Sequence, residues 1–161
     1  MQEVLVSINK AQFRDMVEEV LKYLEPEIPY SFTAVELLVL TAATESHLGT
    51  YLKQVGGGPA KGVYQMEPDT ADDIWENYLA YREPLAKKIE SLVSDYYYND
   101  LAYNLVYQTA MVRVHYFRVP ESLPPNTPQA LAEYWRKYYN THLGKGTVEK
   151  AVADYLRLAP L

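Results

Sequence analysis

Helical spacing of apolar residues governs most of this chain. Asn9 is a capping residue type, and after it Phe13, Met16, Val17, Val20, Leu21 and Leu24 fall on one stripe of a segment from Lys10 to about Leu24. Pro26 and Pro29 end that segment. Thr33 and Glu36 stand at capping-box spacing and open a second segment, Ala34 to Thr44, apolar on nearly every face. A segment with no side to offer water belongs in the middle of a domain. The period is lost from Ser46 to Met66, where Gly56, Gly57, Gly58 and Pro59 predict a loop or short irregular hairpin. Helical spacing resumes after a cap at Asp69 or Thr70, through Ile74, Trp75 and Leu79, and again after Pro84, through Leu85, Ile89, Leu92 and Val93. A long segment follows from about Asp100 to Arg118, with Leu101, Leu105, Gln108, Val112 and His115 on one line. Thr127 and Pro128 form a cap and first-turn proline before Trp135 and Tyr139, Gly144 to Gly146 break the chain, and Thr147 starts the last helix. With no repeat or linker, the expectation is a mainly α, single domain over residues 1–161, of about seven helices, with a glycine-rich loop or short hairpin.

Composition narrows the chemistry. The 161 residues include no cysteine, which excludes disulfide scaffolds, cysteine zinc sites and thiol nucleophiles. A net charge of -6 and a pI near 5.1 argue against a nucleic-acid partner, whose footprint would be basic. The longest mostly apolar stretch, Thr33 to Thr44, contains Glu36 and is too short to span a bilayer, so no stable membrane insertion is expected. The N-terminus lacks the basic start, apolar run and cleavage site of a secretory signal, so the expectation is synthesis in a cytoplasm without the general export route. The 16 tyrosines can stack on sugars or fill a core.

One residue stands out for reactivity. Glu45 closes the apolar helix, where the negative pole of the helix dipole and poor solvation both disfavour ionisation. A carboxyl still protonated near neutral pH is what glycosidic-bond cleavage requires of a general acid. The plain alternative is a solvated glutamate at a helix end. Downstream stands Gly62-Val63-Tyr64-Gln65-Met66-Glu67-Pro68-Asp69-Thr70-Ala71, approached through Gly58-Pro59-Ala60-Lys61.

Together with Glu45-Ser46 this run resembles the soluble lytic transglycosylase-like branch of the lysozyme superfamily, whose signature is Glu-Ser, a loop, then Gly-Leu-Met-Gln-x-x-Pro-x-Thr. Gly62, Gln65, Pro68 and Thr70 keep the spacing, and Tyr64 replaces the usual methionine. The resemblance covers roughly Thr33 to Trp75, more loosely to about Pro120, and Tyr134 to Thr147 looks like phage-type members. It implies a lysozyme-like fold and a peptidoglycan-cleaving enzyme. Glu45 would protonate the oxygen between N-acetylmuramic acid and N-acetylglucosamine. Ser46 would bind substrate, orient Glu45 or cap the helix end. Gln65 would bond an acetamido sugar or brace the loop backbone. Gly62 would supply a geometry or close approach that a side chain blocks, and Tyr64 would line the cleft. The family also places a tyrosine hydroxyl against the catalytic glutamate. Tyr116 lies nearer the expected distance, and Tyr103, in a literal Ala102-Tyr103-Asn104, is its rival.

The second carboxylate decides the reaction. One class of phage lysozymes places an aspartate nine residues after the acid and a threonine six beyond it, but Gln54 and Ala60 stand there. Glu67 is at a variable family position, and Asp72 and Asp73 read as helix-start charges. A single-glutamate route is therefore expected, Glu45 acting as acid and then as base to form 1,6-anhydro-muramic ends. A hydrolytic muramidase or chitinase-like enzyme on the same fold is the first alternative, and a non-catalytic virion or glycan-binding protein the second. His47, His115 and His142 lack metal-site spacing, and no metal or other cofactor is expected. Trp75 and Trp135 read as core residues rather than sugar platforms. The missing signal fits a phage product, released to the wall through a holin or carried there by virion proteins.

Overall fold

The computed structural model describes residues 8–94, 99–140 and 146–159. The N-terminal signal reading, His142 and the break at Gly144 lie outside the described residues. Among those described, eight α-helices follow one another: α1 (Lys10–Tyr23), α2 (Phe32–Ser46), α3 (Pro68–Asn77), α4 (Glu83–Glu90), α5 (Asp100–Tyr103), α6 (Leu105–Phe117), α7 (Pro128–Tyr138) and α8 (Val148–Leu158). A 3-10 turn, Leu79–Tyr81, joins α3 to α4. The mainly α expectation holds, and no helix described is long and apolar enough to cross a membrane.

The caps explain where the helices begin. The Asn9 side chain accepts the Ala11 and Gln12 amides, both at 3.1 Å, and Thr127 and Thr147 accept from Ala130 and Lys150. At α2 the expected capping box is absent. Ser31, not Thr33, is the cap, accepting the Ala34 amide at 3.2 Å. Glu36 cannot reach back to it because its carboxylate is fully buried against Arg14, whose Nε and Nη2 donate at 2.6 and 3.0 Å, and the Tyr155 hydroxyl. Arg14 also donates to the Ala159 carbonyl at 2.9 Å, so one buried ion pair ties α1, α2 and the end of α8 together. Glu67 precedes α3 in place of Asp69 or Thr70, because Pro68 has no amide to satisfy and suits the first turn. The long segment after Asp100 is two helices, parted where Asn104 turns its side chain to cap Tyr107 at 3.0 Å.

Helix α2 forms the centre, packed against α1, α6, α7 and α8 and buried without interruption from Ala34 to Thr44. Leu37, Leu38 and Leu40 are wholly enclosed, and burying each such side chain contributes about 1.5–3 kcal/mol. The helix ends as His47 and Leu48 turn left-handed (φ 50° and 56°) and both amides converge on the Ala42 carbonyl. The chain then loops out, returning through antiparallel bridges from Lys53 to Lys61 and from Lys61 to Met66, which give the expected irregular hairpin.

Candidate active site

The returning loop is fastened to the end of α2. The Ser46 hydroxyl donates to the Val63 carbonyl at 2.6 Å and accepts the Gly49 amide at 2.9 Å. Ser46 is therefore a buried fastener, and the substrate and Glu45-orienting roles are corrected, because its single proton is spent on loop backbone. Gly62 (φ +81°) sits where an added Cβ would lie 2.0 Å from the Leu101 carbonyl and 2.1 Å from Gln108 Oε1, so the close-approach reading of this glycine holds. Gln108, not singled out in the sequence for this, accepts the Val63 amide at 2.8 Å and docks the loop onto α6. Gln65 is itself left-handed (φ 50°), with its amide nitrogen donating to the Gly62 carbonyl at 2.8 Å. Of its two expected roles, the bracing of the loop is the one this geometry fills.

The tyrosines are arranged otherwise than expected. Tyr64 is fully buried, its ring 6.0 Å from that of Phe13 and its hydroxyl 2.9 Å from Thr109 Oγ1, so it fills the core and does not line a cleft. The tyrosine carries a polar tip, which finds its partner inside. Tyr103 is 59% exposed on α5, beside Ser94, Asp100 and Asn104, and makes no bond to Glu45. Tyr116 is near enough to Glu45 to feel its charge, but its hydroxyl pairs with Thr41 Oγ1 at 2.8 Å, one helical turn before the glutamate. Its ring stacks on Tyr139 at 5.5 Å, and the Tyr139 hydroxyl donates to the Tyr64 carbonyl at 2.6 Å. Burial first, and the charge of Glu45 as well, push both hydroxyls well above their ordinary range.

The direct partners of Glu45 come from α7 and the residues after it. Trp135 Nε1 donates to Glu45 Oε1 at 3.0 Å, and Asn140 Nδ2 approaches the same oxygen at a long 3.5 Å. Trp135 is a core residue as expected, but one whose polar edge faces the glutamate. Its helical spacing signals burial and says nothing about where the indole N–H points. Both donors converge on Oε1, so a proton on this carboxyl belongs on Oε2. Among the described residues Oε2 has no hydrogen-bond partner. Burial raises the Glu45 carboxyl from 4.5 to about 7, outweighing the bonds from Trp135 and Asn140 and the Lys150 charge, all of which favour the ionised form.

The charged groups nearby are paired among themselves. Asp154 accepts from Thr44 at 3.1 Å, Lys150 at 2.7 Å and Arg157 at 3.2 Å, and lies 3.9 Å from His47 Nε2. Asp73 binds Arg118 at 2.7 Å and Asn77, also at 2.7 Å. Burial pushes His47 down, and pushes His115, whose Nε2 is 2.9 Å from the Tyr138 carbonyl, down to about 4. Among the described residues no group of three His, Asp or Glu side chains is placed to hold a metal ion. The arrangement offers one proton near neutral pH, held on a fixed carboxyl at the edge of a water-poor wall. No family model, curated protein or solved structure matches this chain.

Proposed function

We propose that this protein cleaves the β-1,4 bond between N-acetylmuramic acid and N-acetylglucosamine in peptidoglycan, as a lytic transglycosylase. The observation that carries the reading is Glu45, a carboxyl that burial raises to about 7, pinned through Oε1 by Trp135, with no hydrogen-bond partner for Oε2 among the described residues. In the first step Oε2–H protonates the glycosidic oxygen as the bond to the muramic C1 breaks and positive charge builds on the ring. In the second, the Glu45 carboxylate takes the proton of the C6 hydroxyl while O6 bonds to C1. The products are a 1,6-anhydro-muramic end and a free N-acetylglucosamine hydroxyl, with Glu45 reprotonated and no water consumed.

The single-glutamate route is supported by the engagement of Asp154, whose oxygens are taken by Lys150, Arg157 and Thr44 and so are not free to activate water. A net charge of -6 gives no general attraction to an anionic wall, so binding rests on local contacts and on delivery by a virion or release through a holin. Digesting purified peptidoglycan and weighing the muropeptides tests the reaction. Products lacking the elements of water are expected; reducing muramic ends would make the enzyme a hydrolase on the same glutamate, and intact glycan would leave a binding protein.

A further inference from the structure

A groove of about 560 Å³ lies beside the 61–66 loop, between α3, α4 and the start of α6, a volume within the range of small-ligand sites. No residue lining it is a bonding partner of Glu45. Its aromatic wall is Trp75 and Tyr107, locked together by the indole N–H, which donates to the Tyr107 hydroxyl at 2.9 Å. That bond spends the polar edge of Trp75 inside the protein and leaves its half-buried ring to offer apolar surface. The Tyr107 hydroxyl accepts from the indole and keeps its own proton to donate; burial raises it above the ordinary tyrosine range.

Around these rings stand Lys61, Asp72 and Glu90, none of whose side chains has an ion pair or hydrogen bond among the described residues. Val93 adds apolar surface. Two carboxylates against one ammonium disfavour an anion. A ligand that suits the groove is neutral, carries both hydrogen-bond donors and acceptors, and has a flat face of C–H groups for the indole. Those are the properties of a pyranose ring without a carboxylate. We propose that the groove is a second carbohydrate site, taking a neutral sugar of the N-acetylglucosamine type and rejecting a sugar that carries a free carboxylate. The inference stands on the groove alone and does not rest on the chemistry of Glu45.

The test is an NMR titration of the Glu45→Gln protein with the N-acetylglucosamine trimer, a probe it cannot cleave. The chain has two tryptophans, so the two indole N–H signals report the two places separately, with Trp75 assigned from Trp75→Phe. A saturable shift of the Trp75 signal is expected, with affinity falling at least ~10-fold in the Asp72→Asn, Glu90→Gln double variant. Both of those side chains are exposed and unpartnered, so this variant keeps the fold. A Trp75 signal that stays still to tens of millimolar trimer overturns the groove as a sugar site. If the Trp135 signal moves in the same titration, the Glu45 reading survives that failure. A Trp75 shift produced by free diaminopimelate but not by the trimer also overturns the proposal, since it assigns the groove to a zwitterionic amino acid.

Discussion

The indole of Trp135 donates to Oε1 of Glu45 at 3.0 Å across 90 residues of sequence, and this bond sets which oxygen of the carboxyl holds the proton. An indole can donate but not accept, so it cannot take the proton itself. A tyrosine hydroxyl in that place could do either. Gly146 makes room for the ring, since an added Cβ there would lie 2.4 Å from Trp135 Cη2.

Replacing Trp135 by Phe removes a bond to the ionised form, so the Glu45 pKa rises further. The acid form then persists to higher pH, and the alkaline limb of the activity profile should move up by roughly one pH unit. Loss of carboxyl orientation should lower kcat on the order of 10–100-fold. Gly146→Ala, which displaces the ring, should act in the same direction. Muropeptide release measured across pH checks both, and unchanged profiles would remove Trp135 from the mechanism.

Glu45→Gln should abolish cleavage and stabilise the fold at alkaline pH. The buried carboxyl titrates at about 7 against 4.5 for an unburied one. It costs no stability below pH 4.5; the cost grows as pH rises and is complete above 7. The variant should therefore match the wild type near pH 4 and exceed it by about 3 kcal/mol at pH 8. Urea unfolding at the two pH values measures this, and an equal difference at both would show that burial does not hold the proton.

Tyr116→Phe should cost about 1 kcal/mol of stability, because the hydroxyl pairs with Thr41. Its effect on kcat should stay within ~10-fold, since the stacked ring remains. Tyr103→Phe should change neither. A loss of three orders of magnitude in Tyr116→Phe, against an intact Tm, would place the hydroxyl on Glu45 during the reaction.

Gly62→Ala should destabilise by about 2–4 kcal/mol, from the left-handed backbone together with the contacts its Cβ would force. A Tm within a degree of the wild type would contradict the close packing of the loop on α6.

His115 should make the fold acid-sensitive. Its pKa is held down from 6.5 to about 4, so its contribution is intact above 6.5 and lost as pH falls through 4. Unfolding free energy should fall across that window, and less in His115→Gln, whose amide can still donate to the Tyr138 carbonyl.

The pattern of apolar residues sufficed for the helical class, the central burial of α2 and the place of Glu45 at its end, because period and capping are local properties of the chain. Gly62 was legible for the same reason, since its left-handed turn belongs to its own loop. The partners of Glu45 were not legible. Tyr116 stood at a plausible distance in sequence, yet its hydroxyl reached Thr41 first, while Trp135, which reads as core, turned its N–H to the carboxyl. Tyr64 took the place of a cleft residue and went to the core because Thr109 offered its hydroxyl a buried partner. Spacing along one helix tells which face is buried. Which polar tip meets which across α2, α6 and α7 depends on how those helices dock, and only the tertiary packing decides that.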